Sequence, residues 1–350
     1  MNRSFWKGKK IFLTGHTGFK GSWLSLWLSQ LGAEVYGYSL GPCTQPSLFK
    51  IANVDKFINS TIGDIRDLTS LKRSLDACSP DIIIHMAAQP LVRKSYADPI
   101  ETFSTNVMGT ANILEAARSC KNLAVLLNVT TDKVYENNEW VWPYRETDRL
   151  GGSDPYSNSK SCSELITASY RKSFFSDSTC RVVTARAGNV IGGGDWSEDR
   201  LIPDIVRAYS HGGKISIRNP LAIRPWQHVL ESLSGYLSLV EHLVSKNNDY
   251  LSSWNFGPGT SDFMTVQDLV KCIQEETKMS VSFDLGQSNL HEAQILKLDN
   301  SQAREYLGWR NAWDYKKAIS HTINWYLEHL NGANPLDLTL EHIKDYEKCL

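Results

Sequence analysis

The sequence predicts an α/β protein: a doubly wound parallel sheet followed by a smaller mixed α/β lobe. Three observations predict it. The apolar run Ile11–Leu13 ends in glycines spaced G-x-x-G-x-x-G, at Gly15, Gly18 and Gly21, and an amphipathic stretch follows. Up to about Gly188, short apolar runs alternate with stretches of helical period. Two of those runs, Asp81–Met86 and Leu123–Val129, are mainly apolar rather than alternating, as strands buried on both faces are.

Taken in order, Ile11–Thr14 and Glu34–Ser39 read as strands flanking a helix at Ser22–Leu31. A short strand is expected near Phe57–Ile62 and a helix at Leu68–Cys78. After Asp81–Met86 comes a helix over Pro99–Ser119, then Leu123–Val129, a helix at Tyr156–Phe174 and a strand at Arg181–Arg186. Beyond Gly188, glycine and proline break the pattern, at Gly192-Gly193-Gly194, Pro203, Gly212-Gly213, Pro220, Pro225 and Gly257-Pro258-Gly259. Helices are expected there at Leu230–Val244, Val266–Met279, Ser301–Leu307 and Asp314–Leu330. The polar tail after Asn331 reads as a surface wrap or a frayed end.

Bulk properties exclude several classes. A net charge of −1 over 350 residues offers no basic field for nucleic acid. Seven scattered cysteines, with no C-x-x-C, suggest neither a disulfide framework nor a metal site, and fit a reducing compartment. No run is long and apolar enough to span a bilayer, and Met1–Lys7 leads into the first strand without a signal-peptide core. The reading is a soluble, cytoplasmic protein.

The glycine turn points to a dinucleotide. Gly15 permits the tight turn, Gly18 lets backbone approach a pyrophosphate, and Gly21 lets the helix pack on the strand. The helix start beyond them faces the anion with its N–H groups, and Phe19 lies in the turn before it. Thr17 and Lys20 lie inside the same turn; whether Lys20 and His16 face the pyrophosphate or solvent is open from sequence. Ligands of doubly wound sheets sit past the strand C-ends. Asp64-Ile65 and Ala87-Ala88-Gln89 are therefore cofactor candidates; the Asp64 carboxylate suits an adenine amino group. Asn106, a poor helix former inside a helical stretch, implies a specific inward partner. The second strand ends Gly37-Tyr38-Ser39-Leu40, with neither the acid that favours NAD nor an arginine that favours NADP, so these residues leave the choice open.

Tyr156 and Lys160 are four apart, on one face of a helix. An ammonium near a phenol favours the phenolate and lowers its pKa from about 10. A phenolate can take a proton from a sugar hydroxyl as hydride leaves for a nicotinamide. Thr130-Thr131-Asp132-Lys133 ends the fifth strand on the ligand side; Thr131 can bond a reacting hydroxyl, and a turn can aim Asp132 and Lys133 into the cleft.

With these motifs the chain resembles, over nearly its whole length, the extended short-chain dehydrogenase/reductase superfamily in its nucleotide-sugar-modifying branch. Thr131-Asp132 is similar to the 4,6-dehydratases of that branch, whose usual triplet ends in Glu where this chain has Lys133. That change, with Thr14–Leu24 and Arg224-Pro225-Trp226-Gln227-His228-Val229, resembles the members acting on CDP-glucose. The resemblance implies a Rossmann-type fold and tightly held, recycled NAD. It implies a cycle in which Tyr156 and Lys160 serve C4 oxidation, Asp132 and the residue at 133 serve loss of water across C5 and C6, and hydride returns to C6. It also implies diphosphate contacts from Asn189 and Arg224, a product on the way to deoxysugars of cell-surface polysaccharide, and a homodimer or homotetramer. Residues 1–188 are then the dinucleotide-binding domain and 189–350 mainly the nucleotide-sugar lobe, with strand or helix returns to the first. The competing readings are a nucleotide-sugar 4-epimerase, a dehydratase of another nucleotide sugar, a net dehydrogenase, and a non-catalytic dinucleotide-binding regulator.

Overall fold

The computed structural model describes residues 1–211, 214–217, 219–245, 251–259, 263–277, 282–285 and 294–350. Its centre is a seven-stranded parallel sheet. Six strands come from the chain before Gly188: β1 (Lys10–Thr14), β2 (Glu34–Ser39), β3 (Asn59–Ile62), β4 (Ile82–His85), β5 (Val125–Val129) and β6 (Arg181–Ala187). The seventh, Ser253–Phe256, comes from the second half and pairs in parallel with β6. The spatial order is seventh strand, β6, β5, β4, β1, β2, β3. β1 pairs on one side with β2 and on the other with β4, so strand order reverses at β1. The crevice beyond the C-ends of β1 and β4 is where such sheets take ligands.

Helices cover both faces. On one, the Phe19–Gln30 and Val229–Ser245 helices and the C-terminal helices bury Trp23, Trp27, Leu233, Trp325 and Tyr346 against the sheet. On the other, Leu68–Cys78, Gly109–Ala117 and Pro155–Phe174 cover Phe12, Ile83 and Leu126. Alternate residues of β4 enter opposite cores: Ile82 and Ile84 join the first, Ile83 the second. That division explains a strand with no polar face. No helix among the described residues is long and apolar enough to cross a membrane.

Three expectations need correction. The helix expected over Pro99–Ser119 ends at Ala117 and is interrupted: an α-helical Pro99–Phe103, a π-helical turn at Ser104–Met108, then Gly109–Ala117. The interruption carries Asn106, whose inward bonds outweigh its poor helix propensity. A further helix, Leu201–His211, forms where Pro203 suggested a break; Pro203 lies in its first turn, where a missing N–H costs nothing. The tail does not fray. Pro335–Glu347 is a helix capped by Asn334, burying Leu338, Ile343 and Tyr346, and its mixed composition masked that spacing. The Val266 helix runs to Thr277; Met279, its expected end, and Gly212-Gly213 lie outside the described residues.

Candidate active site

The glycine turn follows β1 at the crevice. Gly15 has φ +80°, and a β-carbon there would lie 2.8 Å from the Ala87 nitrogen. A methyl at Gly21 would collide with the Gly15 carbonyl oxygen. At Gly18 a β-carbon would meet nothing closer than 3.4 Å, so this face is open. The helix starting at Phe19 has Gly18 as its N-cap and no side-chain cap. An uncapped helix start over an open glycine suits a pyrophosphate, and the residues present fit a dinucleotide.

Hydroxyls fasten this turn. The Thr17 hydroxyl donates to the Leu40 carbonyl (2.8 Å) and pairs with the Ser39 hydroxyl (2.9 Å). Thr14 Oγ1 accepts from the Met86 and Ala87 amides at 3.0 and 3.1 Å. His16 does not face solvent: its buried ring meets Ser60 Oγ at 2.7 Å, and burial lowers its pKa to about 4. Lys20 turns inward as well. Its Nζ donates to the Tyr236 hydroxyl at 2.9 Å, and burial, with Arg200 and Lys160 nearby, lowers it to about 7.

The neighbouring loops are held from behind. The Asp64 carboxylate is forked by Arg66 at 2.6–3.0 Å, which holds it below its ordinary pKa. The Asn112 amide donates to the Ile65 carbonyl at 2.9 Å. Asn106 supplies the inward partner foreseen for it. Its Oδ1 accepts from the Gln89 amide (2.8 Å), and its Nδ2 donates to the Gln89 carbonyl (3.0 Å) and Ser159 Oγ (2.9 Å). The Ala87-Ala88-Gln89 segment is thus clamped to the Tyr156 helix.

That helix, Pro155–Phe174, is capped by Asp154 and opened by Pro155. Tyr156 and Lys160 are both buried on it, against the end of β5. Lys160 Nζ donates to the Val129 carbonyl at 3.2 Å, and burial lowers it to about 8. The expectation that Lys160 brings Tyr156 down is not met in this arrangement: burial pushes Tyr156 up to about 12, with the Thr131 hydroxyl as the largest opposing influence. Residues four apart share a face, but here the lysine is drawn to a backbone carbonyl.

Asp132 and Lys133 open a 3₁₀ turn whose N-cap is Thr131. Lys133 Nζ lies 3.0 Å from Asp132 Oδ1, with side-chain exposures of 26% and 1%. Thr131 also donates to Asp132 Oδ1, at 3.0 Å. Asp132 Oδ2 is buried with no hydrogen-bond partner among the described residues. Lys133 reaches Asn189 Oδ1 at 3.5 Å, which joins the end of β5 to the loop after β6. Arg224, buried on a two-residue strand, donates to the Ile223 and Gln294 carbonyls and lines one pocket with Lys133, Asn137, Ser157 and Leu296.

Sequence reading missed several residues here. Arg200 is held by Asp195 at 3.0 Å, and its charge acts on both Tyr156 and Lys20. It sits in a loop with no periodic signal. Tyr236 looked like one apolar position among many on its helix. Glu164 continues the Tyr156–Lys160 face by one turn, a spacing that could have been read. Among the described residues no group of His, Cys, Asp or Glu could hold a metal.

A buried tyrosine and lysine four apart on one helix, beside a glycine turn at the reversal of strand order, are the arrangement of an extended short-chain dehydrogenase/reductase of the nucleotide-sugar-modifying kind. Residues 12–322 match the family model described as GDP-mannose 4,6 dehydratase, and the chain belongs to that family. The CDP-glucose 4,6-dehydratase of Salmonella typhimurium is 47% identical over 99% of this chain and 98% of its own. Among solved structures, a dTDP-glucose 4,6-dehydratase from Bacillus anthracis in complex with NAD superposes with a TM-score of 0.78 at 20% identity, covering 93% of this chain and 99% of its own. A UDP-glucose 4-epimerase from Thermotoga maritima with UDP-glucose gives 0.78 at 20% identity over 91% and 99%.

Proposed function

We propose that the protein is an NAD-dependent hydro-lyase that converts CDP-D-glucose to CDP-4-keto-6-deoxy-D-glucose and water. The observation that carries this reading is the Asp132–Lys133 pair, an acid and a base at the end of β5 that a 4-epimerase would not need. The 47% identity to a CDP-glucose 4,6-dehydratase supports the choice of base and sugar. The glycine turn, Asp64-Ile65, Ala87-Ala88-Gln89 and Thr130 would line the dinucleotide, with Asn106 holding Gln89 in place. Asn189 and Arg224 would face the diphosphate, and residues 189–350 would supply most of the nucleotide-sugar lobe.

A bound nicotinamide dinucleotide would supply hydride acceptance from sugar C4 and its return to C6, leaving no net redox change. Tyr156 takes the 4-hydroxyl proton, assisted by the Thr131 hydroxyl. Lys160 adds positive charge behind it, which favours the phenolate as substrate displaces water. The 4-ketone acidifies the C5 proton. Lys133 removes that proton, and Asp132, through its unpartnered Oδ2, protonates the departing C6 hydroxyl. Lys133 later returns a proton to C5, and the one held by Tyr156 restores Asp132.

This requires the ion pair to become a neutral pair of equal proton count. Between an amine and a carboxylic acid in water such a transfer is strongly unfavourable. Burying two charges costs several kcal/mol per ion, which narrows the gap when substrate excludes water. The 3.0 Å hydrogen bond between Nζ and Oδ1 is the route for the proton.

The protein is read as a cytoplasmic homodimer or homotetramer. Ile100, Met108, Leu165 and Phe174 are exposed on the Pro99–Ala117 stretch and the Tyr156 helix, an apolar surface suited to a second copy. The deciding experiment is turnover of CDP-, dTDP-, GDP- and UDP-glucose with catalytic NAD. Loss of water from CDP-glucose, with C4 deuterium recovered at C6, is the expected result. Deuterium released to solvent, or a hydroxyl epimer as product, would overturn the reading.

A further inference from the structure

Tyr156, Lys160 and Glu164 stand at i, i+4 and i+8 on one helix, and each engages a different residue of the strand end beside it. Tyr156 meets Thr131, Lys160 binds the Val129 carbonyl, and Glu164 Oε1 accepts from Thr130 Oγ1 at 2.5 Å. Glu164 and Arg186 are both 3% exposed, beneath the floor of the site. Arg186 donates through Nε to Glu164 Oε1 and through Nη2 to Oε2, both at 2.9 Å. Thr184 adds a third donor, at 2.7 Å to Oε2. Arg186 Nη1 donates to the Tyr135 hydroxyl (2.8 Å) and the Glu146 carbonyl (3.1 Å), and Tyr135 donates to Asn255 on the seventh strand (2.7 Å).

A fork with every oxygen satisfied is more than stability requires, because buried ion pairs can often be replaced by apolar residues without loss. Its placement explains its presence. We propose that Glu164 is a positioning residue of this active site: it anchors Thr130, and so Thr131, under Tyr156, and it supplies the negative charge that keeps Lys160 an ammonium, while Arg186 holds that carboxylate in place.

Charged and titratable groups around Lys160 support this assignment. Lys20 from the Phe19 helix and His85 from β4 both lie within electrostatic reach of it. His85 is buried and neutral at working pH, and Lys20, lowered to about 7, is a like charge only below that pH. Asp132 acts on Tyr156 and Lys20, and Arg200 does the same with opposite sign. Glu164 is the group that favours the Lys160 ammonium against its burial. Burial pushes Glu164 up, but Arg186, Thr130 and Thr184 together hold it below its ordinary value, so it stays ionised.

The inference rests on the dehydratase reading for its kinetic arm but not for its second arm. Glu164→Gln and the charge-balanced pair Glu164→Gln with Arg186→Met are compared with wild type. In the first arm, the alkaline limb of the pH profile of kcat moves down by about one pH unit, which lowers kcat about tenfold well up that limb and about twofold at pH 7. KM for CDP-glucose changes less than twofold, since neither residue faces the sugar. The second arm needs no turnover: melting temperature is followed from pH 7 to 10. Without Glu164 the ammonium is costlier to bury, so the deficit of the variants is largest at pH 7. It narrows as Lys160 loses its proton in both proteins. The double variant guards against a fold lost to an unpaired arginine. An alkaline limb unmoved in the folded double variant, with a melting deficit constant across pH, would reduce Glu164 to a structural residue. If wild type turns over none of the sugars, the melting arm alone decides.

Discussion

Asp132 and Lys133 are adjacent in sequence, yet only one of the two aspartate oxygens meets the lysine; the other, Oδ2, is buried without a hydrogen-bond partner among the described residues. The proposed mechanism uses both sides of that carboxylate: the oxygen on Lys133 would exchange the proton, and Oδ2 would serve the departing hydroxyl. Lys133→Met should abolish exchange of the C5 proton with solvent and lower kcat by 10²–10⁴-fold. Single-turnover formation of the 4-ketone should survive. Exchange at the wild-type rate would remove Lys133 from the role of base.

Asn106→Leu tests the clamp on Gln89. The change leaves the buried Gln89 amide and carbonyl without partners, at about 1–3 kcal/mol for each group. The melting temperature should fall and NAD affinity should weaken, because the Ala87-Ala88-Gln89 segment loosens. Titration calorimetry checks the second effect. Loss of stability with unchanged NAD affinity would confine Asn106 to folding.

Gly21→Ala should be far worse than Gly18→Ala for stability. The first drives a methyl into the Gly15 carbonyl, while the second meets only ordinary contact at 3.4 Å. Gly18→Ala should instead leave the melting temperature of the cofactor-free protein nearly unchanged and reduce dinucleotide binding. Equal melting temperatures for the two variants would contradict the geometry.

Acid should destabilise the protein below about pH 6.5. Burial holds His16 and His342 near 4 and His85 near 3, and it lowers His228 as well. Below 6.5 the unfolded chain binds protons that these folded sites refuse, so stability falls as pH falls toward 4. Glu231 opposes this. Burial raises it to about 7, so its contribution is greatest at low pH and is lost as pH rises from about 4.5 to 7. His321 is lowered too, and burial raises Glu146 as it does Glu231; five imidazoles outweigh two carboxyls, and the net slope should be positive between pH 4.5 and 6.5. Glu231→Gln should steepen it. Melting temperatures in that range, followed by tryptophan fluorescence, would reveal a flat or inverted slope.

What was legible in the sequence follows from range. β1, β2 and the Leu68–Cys78 helix carry their own period and punctuation, and their bounds are found within a residue of expectation. Tyr156, Lys160 and the glycine turn are read from spacing taken together with the strand before the turn and the helix after it. Arg200 and Arg186 are not, because the groups they act on, Tyr156 and Lys20 for the first and Glu164 for the second, are brought to them only by the fold. The Pro335–Glu347 helix was hidden for a similar reason. Its Tyr346 is buried by donating to Glu231, 115 residues earlier, at 2.7 Å.

The seventh strand carries a consequence for biogenesis. Until residues 253–256 leave the ribosome, β6 has a bare outer flank of unpaired amides and carbonyls, ready to recruit any extended chain nearby. A fragment cut after Gly188 keeps the whole glycine turn and still inherits that flank. Such a fragment should precipitate rather than survive as a miniature nucleotide binder, and the nascent protein spends the synthesis of some seventy residues in the same exposed condition.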